Sequence, residues 1–364
     1  MDVDLIDFDA LEAPILGGIP TGEDPRNDVS PYSVYFSLKD IRNTARAAER
    51  NALVDNEPLF NFAHQWQDIL DRVPSLLTTQ CKDLEYSAWF IEALTRNYGF
   101  KGLTIGFQTA AILIREFWQD LYPTPDEDGL ETRIAPLIGL NGTDSEGTLL
   151  MPIACIPLTD HGDEQAYSLW EYEQALEIDR FDEDKKQQRL RSGGIVFQDV
   201  LNAAKSSEST FYQQLYKDIQ SSIDAYSTLV ELMDSACGMP LPTSKITKRL
   251  QTCLEAVTYL AGDKLQPEIV TNSGVLEPSS DDEKVPNEAL NQLNSRLEAI
   301  NNLKQIAEYF KQTEPHSPMA YAIDQVVRWS GMSLPDLLEE LISDGDARNG
   351  YFRLVGISSE NNKS

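Results

Sequence analysis

The sequence predicts a mostly α protein: an N-terminal helical bundle with irregular or short-strand segments, a middle helical hairpin domain, and a small C-terminal α-helical oligomerisation domain. Three observations predict it. Apolar residues recur at three- and four-residue steps through most of the chain; Pro and Gly cluster between those runs rather than inside them; and one polar, Pro- and Ser-containing stretch without helical period, residues 263–285, separates a final short helical segment from the rest. The expected division is 1–160, 161–262, the 263–285 linker, and 286–364. With 364 residues, 41% hydrophobic and 9% aromatic, there is ample material for packed cores.

Residues 1–31, with "PILGGIPTGEDPRND", read as an extended, turn-filled arm. A helix starts near Tyr32, where Tyr35, Leu38, Ile41, Ala45 and Ala48 gather on one face. Lys39, Arg42, Arg46 and Arg50 form a second, basic stripe on the same helix. That stripe is either a solvated face balanced by Asp40 and Glu49 or a docking strip for an acidic loop or partner. Two helices follow, near 82–98 (Leu84, Ala88, Ile91, Tyr98) and 103–121 (Leu103, Phe107, Ala110, Ile114, Phe117, Leu121), the second stopped by Pro123. "ETRIAPLIGLNG" and "GTLLMPIACIPLT", broken by Pro136, Pro152 and Pro157, read as brief strands or an irregular wrap over the bundle. Helices are then expected over about 163–178 and 195–206. A long one, 209–236 (Phe211, Leu215, Ile219, Ile223, Tyr226, Val230, Met233), turns at "CGMPLP" and returns as 243–262 (Ile246, Leu250, Leu254, Val257, Leu260), an antiparallel hairpin.

Beyond the linker, three apolar sets mark three short helices: Leu293 to Phe310; Met319, Ala322, Ile323, Val326 and Val327; and Leu334, Leu337, Leu338, Leu341 and Ile342. Ser317 with Pro318 is an N-cap and N1 pair. A unit of fewer than about 80 residues has a marginal core of its own, and burial against copies of itself is a common remedy. Residues 286–364 carry 7 basic and 11 acidic side chains, so they hold only −4 of the chain's formal charge of −29 and repel each other least. The candidate self-association residues are His316, Met319, Ile323, Val327, Trp329 and Leu338.

With 59 acidic against 30 basic side chains, the chain is a poor surface for nucleic acid or anionic lipid. The four cysteines (Cys81, Cys155, Cys237, Cys253) show neither CxxC spacing nor clustering with the three histidines, so no zinc site or disulfide framework is expected. The acidic start "MDVDLIDFDALEAP" is unlike a signal peptide and no apolar run approaches a membrane span. The expectation is a reduced cytoplasmic protein with no direct membrane insertion.

Asp126, Glu127 and Asp128 in "PTPDEDG" form a carboxylate triplet whose chemistry has to be weighed. Carboxylates ligate divalent cations or work as acid and base, but only when several oxygens converge from different segments. One loop triplet supplies none of that, and it lacks the spacing of a calcium loop. The competing readings are a solvated turn and a contact surface or internal salt bridge facing the Arg42 and Arg46 stripe. His316 is held between two prolines and reads as helix entry. No GxxxxGK[ST], GxGxxG or GxSxG occurs, and the tryptophans follow helical apolar stripes, as core residues do. On the residues alone this is a helical interaction protein with no cofactor.

Four segments in order, "PTGEDPRND", "FSLKDIRNTARAAERN", "KDLEYSAWFIEALTRNYGFKGL" and "FWQDLYPTPDEDGLETRIAPLIGLNG", resemble the ImpA-type N-terminal domain of TssA proteins of the bacterial type VI secretion apparatus, over residues 14–158. "RLEAINNLKQIAEYFKQTEPHSPMAYAIDQVVRWSGMSLPDLLEELISD" followed by "YFRLVGI" is similar to the ring-forming C-terminal domain of the shorter TssA proteins. The resemblance implies a non-enzymatic cytoplasmic scaffold, working at the cytoplasmic face of the inner membrane. It would form a homo-oligomeric ring, engage the baseplate and membrane complex, and prime assembly of the tube and sheath. Longer relatives with a different C-terminal extension instead act at the distal end of the sheath, so a sheath-capping role is the nearest alternative. A carboxylate-dependent metal hydrolase using Asp126 and Asp128 is the alternative from another class. Carried onto this sequence, the N-terminal motif includes Arg42, Arg46, Glu49, Arg50, Trp118, Tyr122, Pro123 and the loop from Asp126 to Gly129. The C-terminal motif includes Glu314 to Pro318, Trp329 and Gly356. No catalytic role is implied for any of them.

Overall fold

The computed structural model describes residues 5–54, 57–127, 129–160 and 166–265, and in the C-terminal part 303–304, 306–307, 310–311 and 318–329. The chain divides into two compact units, Met1–Val270 and Thr271–Ser364. Helix is the dominant structure, and among the described residues β pairing is limited to isolated bridges such as Gly22 with Cys81 and Asp83 with Tyr122.

The first unit begins with a regular element where an extended arm is expected. Helix α1 (Phe8–Glu12) is capped by Asp7, whose carboxylate accepts from the Ala10 N–H at 3.0 Å, and it buries Leu11 completely. The cap supplies the missing partner for an orphan N–H of so short a helix. After a 3-10 turn at Pro25–Asn27 come α2 (Val34–Val54), a 3-10 stretch Leu59–Trp66, α3 (Gln67–Thr79) and α4 (Leu84–Phe117).

Helix α4 is the axis of the unit. Most of its length is buried, Trp89, Phe90, Leu94, Leu103 and Phe107 included, while Lys101, Gln108, Arg115 and Glu116 mark its exposed side. Asp83 caps it, accepting from the N–H groups of Glu85 (2.8 Å) and Tyr86 (2.9 Å). At Gly99 the backbone leaves helical geometry (φ 55°, ψ −136°), a conformation essentially reserved for glycine. The two helices expected near 82–98 and 103–121 are the two arms of this kinked run.

The segment from 130 differs from both sequence expectations, strand or wrap: it contains helices α5 (Leu130–Asn141) and α6 (Leu150–Ala154). Pro136 and Pro152 lie inside these helices. A proline within the first turn costs no helical hydrogen bond, which covers Pro152; Pro136 lies deeper and forgoes one. Buried Ile134, Leu137 and Leu140 on α5 and Ile153 on α6 compensate by packing into the core.

Helices α7 (Leu169–Asp179), α8 (Glu183–Arg191) and α9 (Phe197–Ser206) lead to α10 (Ser209–Cys237) and α11 (Ser244–Ala261). The last two form the expected hairpin. Gly238, left-handed at φ 72° and ψ 15°, ends α10, and its N–H donates to Asp234 O, a glycine C-cap. Helix α10 lies along α4: the Ser222 hydroxyl donates to Phe100 O at 2.7 Å, and Phe107 meets Tyr226 at 4.8 Å between ring centres. One hydrophobic core therefore runs from Ile6 to Ala261. In the second unit, α12 (Pro318–Trp329) carries an ion pair between Asp324 and Lys311 at 2.8 Å. No helix among the described residues is long and apolar enough to cross a membrane.

Candidate functional site

Helix α2 presents its apolar stripe to the core, with Tyr35, Leu38 and Ala45 buried. From its basic stripe Arg42 and Arg46 reach a buried carboxylate on α4. Glu92, fully buried on α4, accepts from Arg42 Nε at 2.5 Å; Arg46 Nε stands 3.9 Å from the other carboxylate oxygen, Oε1, which receives no hydrogen bond. One turn on, Arg96 Nε and Nη2 clamp Glu49 at 2.5 and 2.8 Å, and Trp66 Nε1 donates to Glu49 Oε1 at 2.8 Å. The Arg96 guanidinium also lies 4.0 Å from the centre of the Trp66 ring, so charge, donor fork and aromatic face are used together.

A second ionic knot fastens the entry to α2. Arg26 donates to Asp24 (2.9 Å), Asp83 (2.7 Å) and Glu85 (2.8 Å), and the Tyr35 hydroxyl donates to Glu85 at 2.7 Å. Burial disfavours the charge of Arg26, but the bonded and nearby carboxylates Asp83, Asp24 and Glu85 overcome it and raise its pKa. Burial raises the pKa of Asp83, with Arg26 and the Tyr86 N–H opposing.

Arg46 differs from these. Burial lowers its pKa first; Glu92 holds it up, while Arg42, Arg96 and Arg50 push it down again. Arg50 is exposed and makes no ion pair among the described residues, and Lys39 has only the Tyr35 hydroxyl at 3.4 Å and the Tyr35 ring at 5.4 Å. In front of the stripe are two hollows. One of about 510 Å3 runs between Lys39, Arg42 and Trp89 and the α5 residues Thr132, Ala135 and Pro136. The other, about 470 Å3, is lined by Arg46, Arg50, Arg96, Met151 and Trp170, and Thr148 borders both.

The other anticipated residues are dispersed. Asp126 accepts from the Thr132 hydroxyl and its carbonyl accepts from the Gly129 N–H at 3.0 Å, closing a turn in front of α5. Asp128 lies outside the described residues. Trp118 is covered by the Arg133 guanidinium, 5.4 Å from its ring, while Arg133 donates to the carbonyls of Trp118 (2.5 Å) and Pro123 (3.2 Å). Among the described residues no group of three or more His, Cys, Asp or Glu is placed to hold a metal. Met319, Ile323, Val327 and Trp329 all lie on α12; His316 and Leu338 fall outside the described residues.

Glu92, Arg96 and Trp66, the partners that organise the basic stripe, were not singled out by sequence reasoning. The available signal was Glu92, a lone carboxylate in the run "YSAWFIEALT" with Arg96 four residues on. A charge in a stretch that must be buried requires a partner.

Residues 12–142 match the family model described as ImpA, N-terminal, type VI secretion system. The fold is similar to a solved structure, the N-terminal domain including the conserved ImpA_N region of the TssA component of the type VI secretion system from Burkholderia cenocepacia. That similarity has a TM-score of 0.58 at 22% identity, covering 71% of this chain and 94% of that one. No curated protein matches the chain.

Proposed function

We propose that the chain, whose residues 12–142 match the ImpA_N family model, is a TssA-like protein that serves a type VI secretion apparatus as an oligomeric scaffold. It links the baseplate to the membrane complex at the cytoplasmic face of the inner membrane and primes assembly of the tail tube and sheath. The match over residues 12–142 carries this reading. The division of the chain supports it: a large unit, Met1–Val270, and a smaller one, Thr271–Ser364, suit a device in which the smaller part gathers copies and the larger part is displayed. Displaying a weak contact many times strengthens it by about 10² to 10⁴ through effective concentration, so no single tight site is needed.

The site is built for contact. Its inner charges, Glu49 and Arg96, are held by each other, by the Trp66 face and by the Glu92 carbonyl, while Lys39 and Arg50 are in no ion pair among the described residues. The test is deletion of the gene in a host carrying a fluorescent sheath subunit, followed by complementation. Sheath assembly and effector secretion should fall together and return together. Sheaths forming at normal number without the chain would refute the scaffold role.

A further inference from the structure

Along α2 the cations outnumber the carboxylates that hold them. Arg42 is held by Glu92, and Arg96, reaching in from α4, by Glu49. Arg46 has Glu92 only at 3.9 Å, and Lys39 and Arg50 make no ion pair among the described residues. In a chain carrying 59 acidic side chains, Lys39 and Arg50 could have been paired many times over and are in no ion pair among the described residues, and Arg46 shares the one Glu92 with Arg42. They share one helix face, and from Lys39 to Arg50 it spans about 17 Å at ~1.5 Å per residue. Both hollows open in front of it. Opposite the cations the first hollow is lined by the short side chains of Thr132, Ala135 and Pro136, with Asp24 and Glu85, both engaged by Arg26, at its edge; Trp170 and the exposed Glu146 line the second.

We propose that this trough binds an extended acidic peptide segment of a protein partner. The proposal rests on the scaffold reading and gives it a docking chemistry. Lys39 and Arg46 are about 10 Å apart along the helix and Arg46 and Arg50 about 6 Å. An extended chain rises about 3.3 Å per residue and turns every second side chain to the same face, so the matching ligand carries carboxylates at alternate positions along the ~17 Å of the stripe. Arg46 is the adjustable member, poised between Glu92 and the trough. A short peptide needs only this local field. A nucleic acid, with its continuous line of phosphates, would meet the repulsion of the −29 chain beyond the trough.

The experiment is fluorescence anisotropy at low ionic strength with the full chain. The probe is a fluorescein-labelled Gly/Ser peptide bearing glutamate at its first, third, fifth and seventh positions, which share one face of an extended chain. The same peptide with glutamine there and a labelled oligothymidylate are the controls. The glutamate probe should bind, the glutamine probe should not, and the double variant Lys39→Gln, Arg50→Gln should weaken binding about fivefold or more. Its thermal midpoint should stay that of the parent, since neither residue holds a carboxylate among the described residues. Equal binding of the glutamine probe, less than about twofold loss in the double variant, or tighter binding of the oligothymidylate would each overturn the proposal. The deletion experiment is independent of it: sheath loss on deletion with no peptide binding refutes the trough alone, and normal sheaths on deletion refute the scaffold.

Discussion

Replacing Glu49 by alanine probes the clamp that joins α2 to α4. In the parent, Arg96 and Glu49 are almost fully enclosed, with side-chain exposures of 4% and 7%, and Glu49 also takes the Trp66 N–H. Glu49→Ala leaves a buried guanidinium with only the Glu92 carbonyl and the Trp66 face, and a buried indole N–H with no acceptor. Breaking a buried pair by removing one partner costs about 3–5 kcal/mol. The stranded N–H adds a penalty of about 1–3 kcal/mol that overlaps the first. About 4 kcal/mol is the expected loss. For a unit the size of Met1–Val270, an unfolding entropy of about 2.1 cal/mol/K per residue converts this to a fall of about 7 °C in midpoint. Glu49→Gln keeps an acceptor for Trp66 and should lose about half as much. Glu49→Ala with Arg96→Met, which removes the stranded charge, should be milder than Glu49→Ala alone. Thermal unfolding followed by far-UV circular dichroism reads all three. A Glu49→Ala midpoint within about 1 °C of the parent would refute the reasoning.

Lys82 is fully buried, its ammonium donating to Leu11 O at 2.7 Å and facing Phe117 at 4.9 Å, and burial lowers its pKa to about 8. Between about pH 8 and the ordinary lysine value near 10.4 the unfolded chain binds the extra proton, so this group's contribution to stability rises with pH there. Buried Cys81 beside it, with its pKa raised by burial, acts in the opposite direction. The comparison is therefore with Lys82→Met: its midpoint should fall more steeply than the parent's from pH 8 to 10, and parallel profiles would contradict the assignment. Gly99→Ala should cost about 1–3 kcal/mol, because its backbone conformation is strained for any residue with a Cβ, and the added atom would stand 3.2 Å from Ile156 Cγ2. An unchanged denaturant midpoint would show that the kink relaxes freely.

Periodicity made much of the helical frame legible. The α10–α11 hairpin stands within two residues of expectation, because a long uninterrupted apolar stripe and a glycine stop leave little choice. Helix α5 was hidden because Pro136 is a breaker in any local reading, whereas the burial of Ile134, Leu137 and Leu140 that outweighs it depends on distant segments. Helix α1 was hidden by its length: five residues show no period. The basic stripe was visible in one dimension, but its carboxylates were not. Of the two candidates named beside it, Glu49 turns inward to Arg96 and Trp66, and the carboxylate that holds Arg42 is Glu92, fifty residues away. Helical spacing tells which side chains share a face and says nothing of which element covers it.

Self-association is the property on which the scaffold role turns, and the mass of the intact chain in solution measures it. A single chain is 40.8 kDa. Multi-angle light scattering over a wide concentration range should give a large, discrete multiple of that mass that persists on dilution. A particle of single-chain mass at every concentration would contradict the scaffold and leave the many-copy display without a basis.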